Sequence, residues 1–504
     1  MTEKENAKGN NMKNGYGLIL KCIGLFGGVQ VFSVLMSLCR NKIASKLLGA
    51  SGLGLIGIFN RTVQLFNDCT NLGLPISAVR WLSEAYEDGD KDAVEYRVRV
   101  IRSISLSAGF CGMVLFLLFS PFVMRWLSDG EAYEDFSGVT FLAPVLLFMS
   151  VYNGELVVLR GVRELDKLAK SSLLIASLSV VVIAVAYYFF SFSGIIPAIF
   201  LLALLQVAGV LCFSLKCFGY KVSSLTADML REGKELVRVG IGYVLALMLA
   251  SCSVWYLYKL LFDCGGDVAV GLFSAGYLLI TMLPQVLFAA LDFDYYPRLS
   301  GVCGKKERRD AMVNEHIEVH LLVQIPVISF FILLLPVLIP LLYSTEFSEV
   351  VLMTQIALFG LVLNCIAHPI SFLPLAKGDR TAYLMQECVH DISLVALICG
   401  GYNLYGFVGV GLAMLAVYVI DLVTVWAIAR IRFGFVMSAE VLKFFMLNLP
   451  SLLLLAYSVA MFEGWLYWVS GVACAVASSA VSLFLMKRQG VTLLKLFKQL
   501  FVRR

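Results

Sequence analysis

Long apolar stretches separated by short polar segments run along the whole chain. A transmembrane helix needs roughly 20 mainly apolar residues to cross about 30 Å of hydrocarbon with its backbone amides paired internally. Windows of about that length recur between charged or turn-forming residues, and they predict an all-α polytopic membrane protein with about fourteen transmembrane helices. The predicted spans are residues 18–48, 51–73, 101–123, 139–159, 171–191, 194–215, 237–261, 268–291, 318–342, 350–374, 382–402, 405–429, 441–461 and 465–486.

The composition agrees with this class. Hydrophobic residues make up 60% of the 504 residues and charged residues only 15%, and the mean hydropathy is +0.86. Soluble domains carry about 25% charged residues, so a water-soluble fold is excluded. The 13 cysteines are scattered, without a CxxC pair or the spacing of a metal site, which is typical of small apolar side chains.

Positive charges occupy alternate gaps between the predicted spans, together with both terminal tails. Loops rich in Lys and Arg stay on the cytoplasmic side, so both termini are predicted to be cytoplasmic. Residues 487–504 combine apolar and basic positions at helical spacing, which predicts an amphipathic helix on the membrane surface. Only six of the 40 Lys and Arg residues break the alternation, namely Arg40, Lys42, Lys46, Arg61, Arg125 and Lys259.

The sequence lacks the common motifs of catalysis. Neither GxxxxGK[ST] nor HExxH occurs, and the gaps between spans are too short for a soluble domain. His316 and His320 share a helix face at i and i+4, but they lie beside a basic segment and are interpreted as a solvated pair rather than a zinc site. No cofactor, metal or nucleic-acid partner is therefore expected, and moving a substrate is favoured over converting it.

A short pattern recurs in the two halves of the chain. Lys42 precedes Gly54 by 12 residues, and Lys259 precedes Gly271 by the same interval. Six predicted spans separate the copies, so both copies enter the bilayer in the same direction. The repeat predicts two pseudo-twofold-related six-helix lobes around a central cavity. The predicted parts are an N-terminal lobe (1–217), a cytoplasmic linker (218–236), a C-terminal lobe (237–430), two further helices (431–486) and the tail (487–504).

Polar residues on one face of the second span form a candidate substrate-binding wall. Arg61, Gln64, Asp68 and Asn71 follow one another at i, i+3, i+7 and i+10, which places all four on one helix face. An arginine within the bilayer costs roughly 2.5–3.5 kcal/mol on insertion scales, so it faces a water-filled cavity or a partner. The stripe is therefore either a cavity wall or a polar seam between helices.

Other candidate binding residues lie near the first and seventh spans. Lys42 and Lys46 share a helix face, but Arg40 lies about 200° around the helix from Lys42, so the three cannot all contact one substrate. Lys259 lies close to Trp255, whose ring could pack on a sugar. The alternative for this pair is an ordinary aromatic belt at the membrane interface.

Carboxylates inside later spans are candidates for ion coupling. Glu387, His390 and Asp391 lie within one predicted span, and Asp421 lies at a similar depth in the next. Burial favours a carboxylate that has bound a proton or Na⁺. The alternative is structural pairing with cations at the cytoplasmic boundary.

Two stretches of the sequence carry the motifs of a family. They are Arg40-Asn41-Lys42-Ile43-Ala44, Leu48-Gly49, Gly52-Leu53-Gly54 and Val79-Arg80-Trp81-Leu82-Ser83-Glu84 in the first half, and Asp294-Tyr295-Tyr296-Pro297-Arg298-Leu299-Ser300 in the second. The first set resembles the N-terminal signature of Wzx-type polysaccharide flippases, and the second resembles the motif after their eighth helix. These flippases belong to the multidrug, oligosaccharidyl-lipid and polysaccharide (MOP) exporter superfamily.

The resemblance implies a flippase of a bacterial inner membrane. Such a protein moves undecaprenyl-diphosphate-linked oligosaccharide, an O-antigen or another surface polysaccharide unit, to the outer leaflet by alternating access. The resemblance also implies a V-shaped pair of bundles and a cationic cavity with Arg40 as a diphosphate contact; the alternative for Arg40 is an ordinary cation at the outer boundary. Because the sequence has no nucleotide-binding motif, the energy is expected to come from a gradient of H⁺ or Na⁺ or from removal of the product by later enzymes. Membrane lipid and polysaccharide polymerase machinery are the expected partners. In a related lipid II flippase, the extra C-terminal helices form a lipid groove; their role here is open.

Two alternatives stand beside this reading. A multidrug or cation antiporter of the same superfamily would favour acidic cavity residues, whereas cations exceed carboxylates in the predicted membrane part of the first lobe. A membrane polysaccharide polymerase or ligase usually needs a large outer loop for its catalytic residues, and the sequence contains none.

Overall fold

The computed structural model describes the backbone of residues 3–71, 73–127, 136–222, 227–292 and 295–488. Within these ranges it describes the side chains from residue 28 onward, apart from those of 74–77, 124–127, 136–137, 227–243, 285–287, 289–290 and 297. The predicted amphipathic tail lies almost wholly outside the described residues, as does the side chain of Arg125.

Helices make up nearly all of this part of the chain, and it contains no β-strand. Three short 3₁₀ segments, Phe136–Leu142, Ser191–Gly194 and Thr345–Val350, precede or join α-helices. The helices are α1 Glu3–Thr70, α2 Leu74–Glu87, α3 Lys91–Leu127, α4 Ala143–Gly161, α5 Leu165–Phe190, α6 Ile195–Ser214, α7 Ala227–Asp292, α8 Tyr295–Val302, α9 Lys306–Leu342, α10 Val351–Lys377, α11 Arg380–Phe433, α12 Ala439–Met461 and α13 Gly464–Arg488.

The predicted all-α membrane class is confirmed. Ten helical stretches in the described residues are long and apolar enough to cross a membrane. Four of them, Gly28–Thr70, Leu165–Ser214, Val244–Pro284 and Arg380–Phe433, have 41 to 54 residues. At 1.5 Å per residue they exceed about 60 Å, twice the thickness of the hydrocarbon layer. Each contains a sharp backbone break, but the count of fourteen spans stays a prediction.

The breaks in α1 and α7 have the same backbone geometry. Gly49 has φ 67° and ψ −165°, and Gly266 has φ 68° and ψ −166°; this region is accessible essentially to glycine alone. The two glycines are 217 residues apart, as are Lys42 and Lys259. The internal repeat seen in the sequence is therefore also present in the backbone. We call residues 50–70 the second arm of α1, and residues 227–265 and 267–292 the first and second arms of α7.

A second pair of breaks continues the repeat. Ser191, between α5 and α6, has φ 47° and ψ −129°, while Gly406, within α11, has φ 58° and ψ −138°. The predicted gaps between spans contain Gly49 and Gly266, and the predicted gap in α11 lies within two residues of Gly406. Polar or glycine-containing interruptions of hydropathy thus locate these breaks closely.

Two short helices, α2 and α8, were not predicted. Each follows a broken helix and contains a Leu-Ser pair whose leucine, Leu82 or Leu299, is fully buried. Leu82 belongs to an apolar cluster that includes Ile101 of α3 and Val158 of α4. A helix of this length can bury one apolar face without producing a membrane-length hydrophobic window, which is why hydropathy missed both.

The chain forms two compact units, residues 1–263 and residues 264–503. The boundary lies at the break in α7 and not in the segment 218–236, so the first arm of α7 groups with the first unit. The predicted pair of lobes and their linker stay a prediction.

Candidate functional site

The second arm of α1 meets the first arm of α7 through polar and aromatic side chains. Ser251, Trp255 and Tyr258 recur at i, i+4 and i+7, so they lie on one face of α7. The Trp255 indole Nε1 donates to Thr62 Oγ1 at 3.0 Å, and the Ser251 hydroxyl donates to Asp68. This face of α7 therefore contacts the polar stripe of α1 at Asp68 and contacts Thr62 elsewhere on α1.

Asp68 lies in a closed hydrogen-bond network. Its Oδ1 accepts from Gln64 Nε2 at 2.8 Å and from Asn67 Nδ2 at 3.4 Å. Asp68 is only 6% exposed. Together with Ser251, these donors satisfy a carboxylate that would otherwise be costly to bury. The Gln64 and Asp68 part of the stripe thus has the character of a polar seam. Asn71, beyond the end of α1, is only partly buried.

Arg61 occupies the other end of the stripe. Its guanidinium carbon lies 5.4 Å from the centre of the Tyr258 ring, within cation–π range. Arg61 is partly buried. Lys259, which follows Tyr258 on α7, forms an ion pair with Asp263 one turn further on. The Lys259 side chain is only 5% exposed. Arg61 with Tyr258, and Lys259 with Asp263, thus form two separate pairs that meet at neighbouring positions of α7; we refer to these four residues as the cluster.

Asp263 was not among the sequence-predicted site residues. Its i, i+4 spacing from Lys259 is the standard spacing of a helical ion pair, so the sequence did contain the signal. Asp263 therefore offsets the charge of Lys259, so the predicted excess of cations over carboxylates in this part of the chain is smaller than the sequence indicates.

The structure separates by exposure the three cations that precede Gly49 in α1. Lys46 is exposed, whereas Arg40 and Lys42 are partly buried. Arg40 lies within electrostatic range of Tyr187 on α5. The geometric argument that these three side chains cannot serve one substrate agrees with this difference; the roles of Arg40 and Lys42 in binding stay predictions.

Two of the predicted ion-coupling residues contact each other across the break in α11. The His390 Nδ1 lies 2.7 Å from Asp421 Oδ2. Asp391 is 2% exposed, and its Oδ2 is buried without a hydrogen-bond partner in the described part of the chain. Glu387 is partly buried and lies within electrostatic range of both His390 and Asp421. The four predicted residues therefore form one cluster in the second unit.

The interpretation of His316 and His320 as a solvated pair is wrong. Both imidazoles point at Asp292, the last residue of α7, and His320 is fully buried. His368 of α10 lies against the same carboxylate. Sequence reasoning missed the cluster because its members come from three helices.

Sequence reasoning also missed a buried ion pair in the first unit. Arg102, assigned from the charge pattern to a basic cytoplasmic segment, binds Glu155 of α4 through two nitrogens at 2.7 and 3.0 Å. The exposed fractions of the two side chains are 2% and 1%. Arg102 also donates to the Gly219 carbonyl at 2.7 Å. Tyr220 lies over the guanidinium, and burial, followed by the charge of Glu155, raises the pKa of Tyr220.

The fold that positions these clusters is that of the MOP transporters. An inward-facing multidrug resistance MATE family transporter of the MOP superfamily matches with a TM-score of 0.68 at 16% identity, over 80% of this chain and 94% of that chain. The lipid II flippase MurJ in an inward closed conformation matches with a TM-score of 0.69 at 12% identity, over 92% of this chain and 99% of that chain. A MOP superfamily transporter from Pyrococcus furiosus matches with a TM-score of 0.60 at 16% identity, over 82% of this chain and 96% of that chain.

The family follows from the sequence match. A profile described as "Polysaccharide biosynthesis protein" matches residues 19–302, more than half of the chain. The chain thus belongs to the polysaccharide biosynthesis protein family. No curated protein sequence matches it.

Proposed function

We propose that the protein is a flippase for oligosaccharide linked to a polyprenyl diphosphate, such as undecaprenyl diphosphate. It would move the lipid-linked sugar from the inner to the outer leaflet of a bacterial inner membrane by alternating access, with both termini cytoplasmic. The observation that carries the proposal is the cluster of Arg61, Tyr258, Lys259 and Asp263 within the membrane part of the first unit.

This cluster suits the head group of such a lipid. The head group carries a diphosphate, which cannot cross hydrocarbon unaided, next to a sugar. A guanidinium binds phosphate oxygens in a bidentate manner, and Arg61 is partly exposed while the buried Tyr258 ring supports it from one side. The polyprenyl tail needs no such site because it stays in the lipid. Membership of a polysaccharide biosynthesis family supports a sugar cargo, and the fold shared with a lipid II flippase supports movement of a lipid-linked one.

The seam around Asp68 weighs against the multidrug alternative. A carrier of cationic drugs needs a carboxylate that can meet the drug, whereas the Asp68 carboxylate already accepts hydrogen bonds from Gln64, Asn67 and Ser251. A transporter also fits better than a polymerase or ligase, for which the short segments between the helices leave little room. The flipped product would then pass to polysaccharide polymerase machinery.

We expect replacement of Arg61 by alanine to slow the flipping rate by about 10-fold or more, since a hydrogen bond to a charged group contributes about 1.5–3 kcal/mol. The assay uses purified protein in liposomes and measures the arrival of lipid-linked oligosaccharide in the opposite leaflet. Arg61→Lys should give an intermediate rate because an ammonium cannot bind phosphate in a bidentate manner.

Arg80→Ala is the matched control. Arg80 lies on α2, its side chain is 83% exposed, and it pairs only locally with Glu84, so its loss should leave the rate unchanged. A wild-type rate for a well-folded Arg61→Ala protein would contradict the proposed role of the cluster.

We also propose that Glu387, His390, Asp391 and Asp421 couple transport to H⁺ or Na⁺. The buried Asp391 oxygen that has no hydrogen-bond partner among the described residues carries this step, because binding a proton or a cation removes the cost of a buried charge. Asp391→Asn should abolish the acceleration of flipping by an imposed H⁺ or Na⁺ gradient while the gradient-free rate persists. The exposed Glu349, replaced by Gln, is the control; an unchanged gradient response in Asp391→Asn would refute coupling at this cluster.

A further inference from the structure

Three of the four histidines of the chain surround one carboxylate at the end of α7. Asp292 Oδ1 lies 2.7 Å from Nε2 of His316 and 3.1 Å from Nε2 of His320. These two nitrogens are themselves 3.1 Å apart. His316 and His320 lie one turn apart on α9, so a single helix presents both rings to the acid.

These three contacts conflict if hydrogen bonds alone hold them. An ionised carboxylate only accepts, so both nitrogens must carry a proton to donate to it. Both N–H groups then converge on the single oxygen Oδ1 with their nitrogens only 3.1 Å apart, which crowds two partly positive hydrogens together. Removing either proton leaves a nitrogen lone pair against the carboxylate oxygen. A cation between the three atoms removes the conflict, because all three then act as electron-pair donors.

The spacing of the donor atoms fits a small divalent ion. The three ligand atoms all lie within 4.8 Å of one another. Tetrahedral bonds of about 2.0–2.1 Å place neighbouring donors about 3.3 Å apart, so the observed separations of 2.7 to 3.1 Å need only a small expansion. Two imidazoles and one carboxylate form a donor set suited to Zn²⁺ and similar transition metals, whereas Mg²⁺ and Ca²⁺ prefer oxygen ligands alone.

Neighbouring residues hold these ligands in place, as the outer residues of metal sites do. The His368 Nε2 lies 2.7 Å from Oδ2, the other oxygen of Asp292. The Gln324 amide lies 2.9 Å from Nδ1 of His320. Since the oxygen and nitrogen of an amide exchange places on a flip, Gln324 can accept from Nδ1–H and leave Nε2 for a metal. The Tyr295 ring stacks on the His316 ring, with 3.8 Å between the two ring centres.

We propose that Asp292, His316 and His320 bind one divalent transition-metal ion, with Zn²⁺ the best fit, and that His368 and Gln324 position these ligands. Three protein ligands leave one position for water or another small ligand. The ion would fasten the second arm of α7 to α9 within the second unit and so stabilise that unit. This site is independent of the proposed transport function.

Metal binding by the full-length protein tests this proposal. The protein is purified in detergent with an affinity tag that contains no histidine, treated with a chelator, and titrated with Co²⁺ in the presence of excess Mg²⁺. We expect visible absorption bands of tetrahedral or five-coordinate Co²⁺ that saturate at one ion per chain and disappear on addition of Zn²⁺. Binding should weaken between pH 7.5 and 5.5, because protons compete for the imidazoles.

Single substitutions locate the ion. His316→Gln and Asp292→Asn should each weaken Co²⁺ binding by at least about 100-fold, and His368→Gln by about 10-fold, as expected for an outer residue. His390→Gln, which changes a histidine on α11, should leave metal binding unchanged. His316 and Asp292 are partly exposed, so their variants remain informative if a variant of the fully buried His320 does not fold.

Two outcomes would overturn the proposal. One is the absence of Co²⁺ and Zn²⁺ binding by the wild-type protein at concentrations up to about 100 µM, so that the histidines of the cluster bind only protons. The other is equal metal binding by wild-type protein and by folded His316→Gln and Asp292→Asn variants.

Discussion

Replacing Arg102 by alanine is expected to lower the free energy of unfolding by about 3–5 kcal/mol, the usual cost of breaking a buried ion pair. The substitution leaves the Glu155 carboxylate charged in an almost fully buried site, where the Ser214 hydroxyl still donates to it. It also removes the donor to the Gly219 carbonyl. Thermal unfolding and size-exclusion chromatography of the detergent-solubilised protein measure the loss.

Two controls separate loss of the pair from loss of a charge. The double variant Arg102→Met with Glu155→Leu removes both charges and should be far less destabilised, because an apolar pair of similar volume often replaces a buried ion pair at little cost. Arg80→Ala breaks an exposed pair and should change stability by less than about 1 kcal/mol. If Arg102→Ala unfolded at the wild-type temperature, the ion pair would not stabilise the first unit.

Replacing Gly401 by alanine is expected to destabilise the second unit by about 3 kcal/mol, at the upper end of the usual cost of overpacking. A Cβ at Gly401 would collide with the carbonyl oxygen of Gly409, and a Cβ at Gly409 with that of Gly401. The obstacle in both cases is backbone, which cannot rotate away as a side chain can. Gly409→Ala should therefore have a similar effect.

The neighbouring Gly400 provides a closely matched control. A Cβ there would meet no atom within 4 Å, so Gly400→Ala should be neutral or slightly stabilising, since alanine favours a helix over glycine by about 1 kcal/mol. The yield of folded protein and its unfolding temperature compare the variants. Equal behaviour of Gly400→Ala and Gly401→Ala would contradict the close approach of the two parts of α11.

Local features of the fold could be predicted from the sequence. Hydropathy places the helices because a chain in lipid must pair its own backbone groups. The interruptions that contain Gly49 and Gly266 mark real breaks, and the interval that relates Lys42 to Lys259 relates the two glycines as well. Each helix and each break is encoded within a few neighbouring residues, and the repeat only requires the same local pattern to occur twice.

Features that depend on tertiary contacts could not be predicted. Asp292 lies 24 residues from His316 and 76 from His368, and Arg102 lies 53 residues from Glu155. Nothing in the local pattern states which polar residues meet, so the charge pattern counts Arg102 among the cytoplasmic cations and the sequence predicts a solvated pair of histidines. Arg61, Gln64 and Asp68 of the candidate binding stripe lie on α1 and Asn71 lies just beyond it, but whether Asp68 lines a cavity or a seam depends on Ser251 from another helix, and the role of the stripe in binding stays a prediction.

The abrupt breaks in α1 and α11 bear on how the chain enters the membrane during its synthesis. A break of one or two residues leaves almost no irregular backbone between two apolar arms, so no polar loop has to be carried through the hydrocarbon layer. Two arms joined in this way can insert together as one hairpin, which avoids leaving either arm alone with a polar end in the lipid. Each of these two helices would then enter the membrane as a pair of arms, with its break at the leading tip.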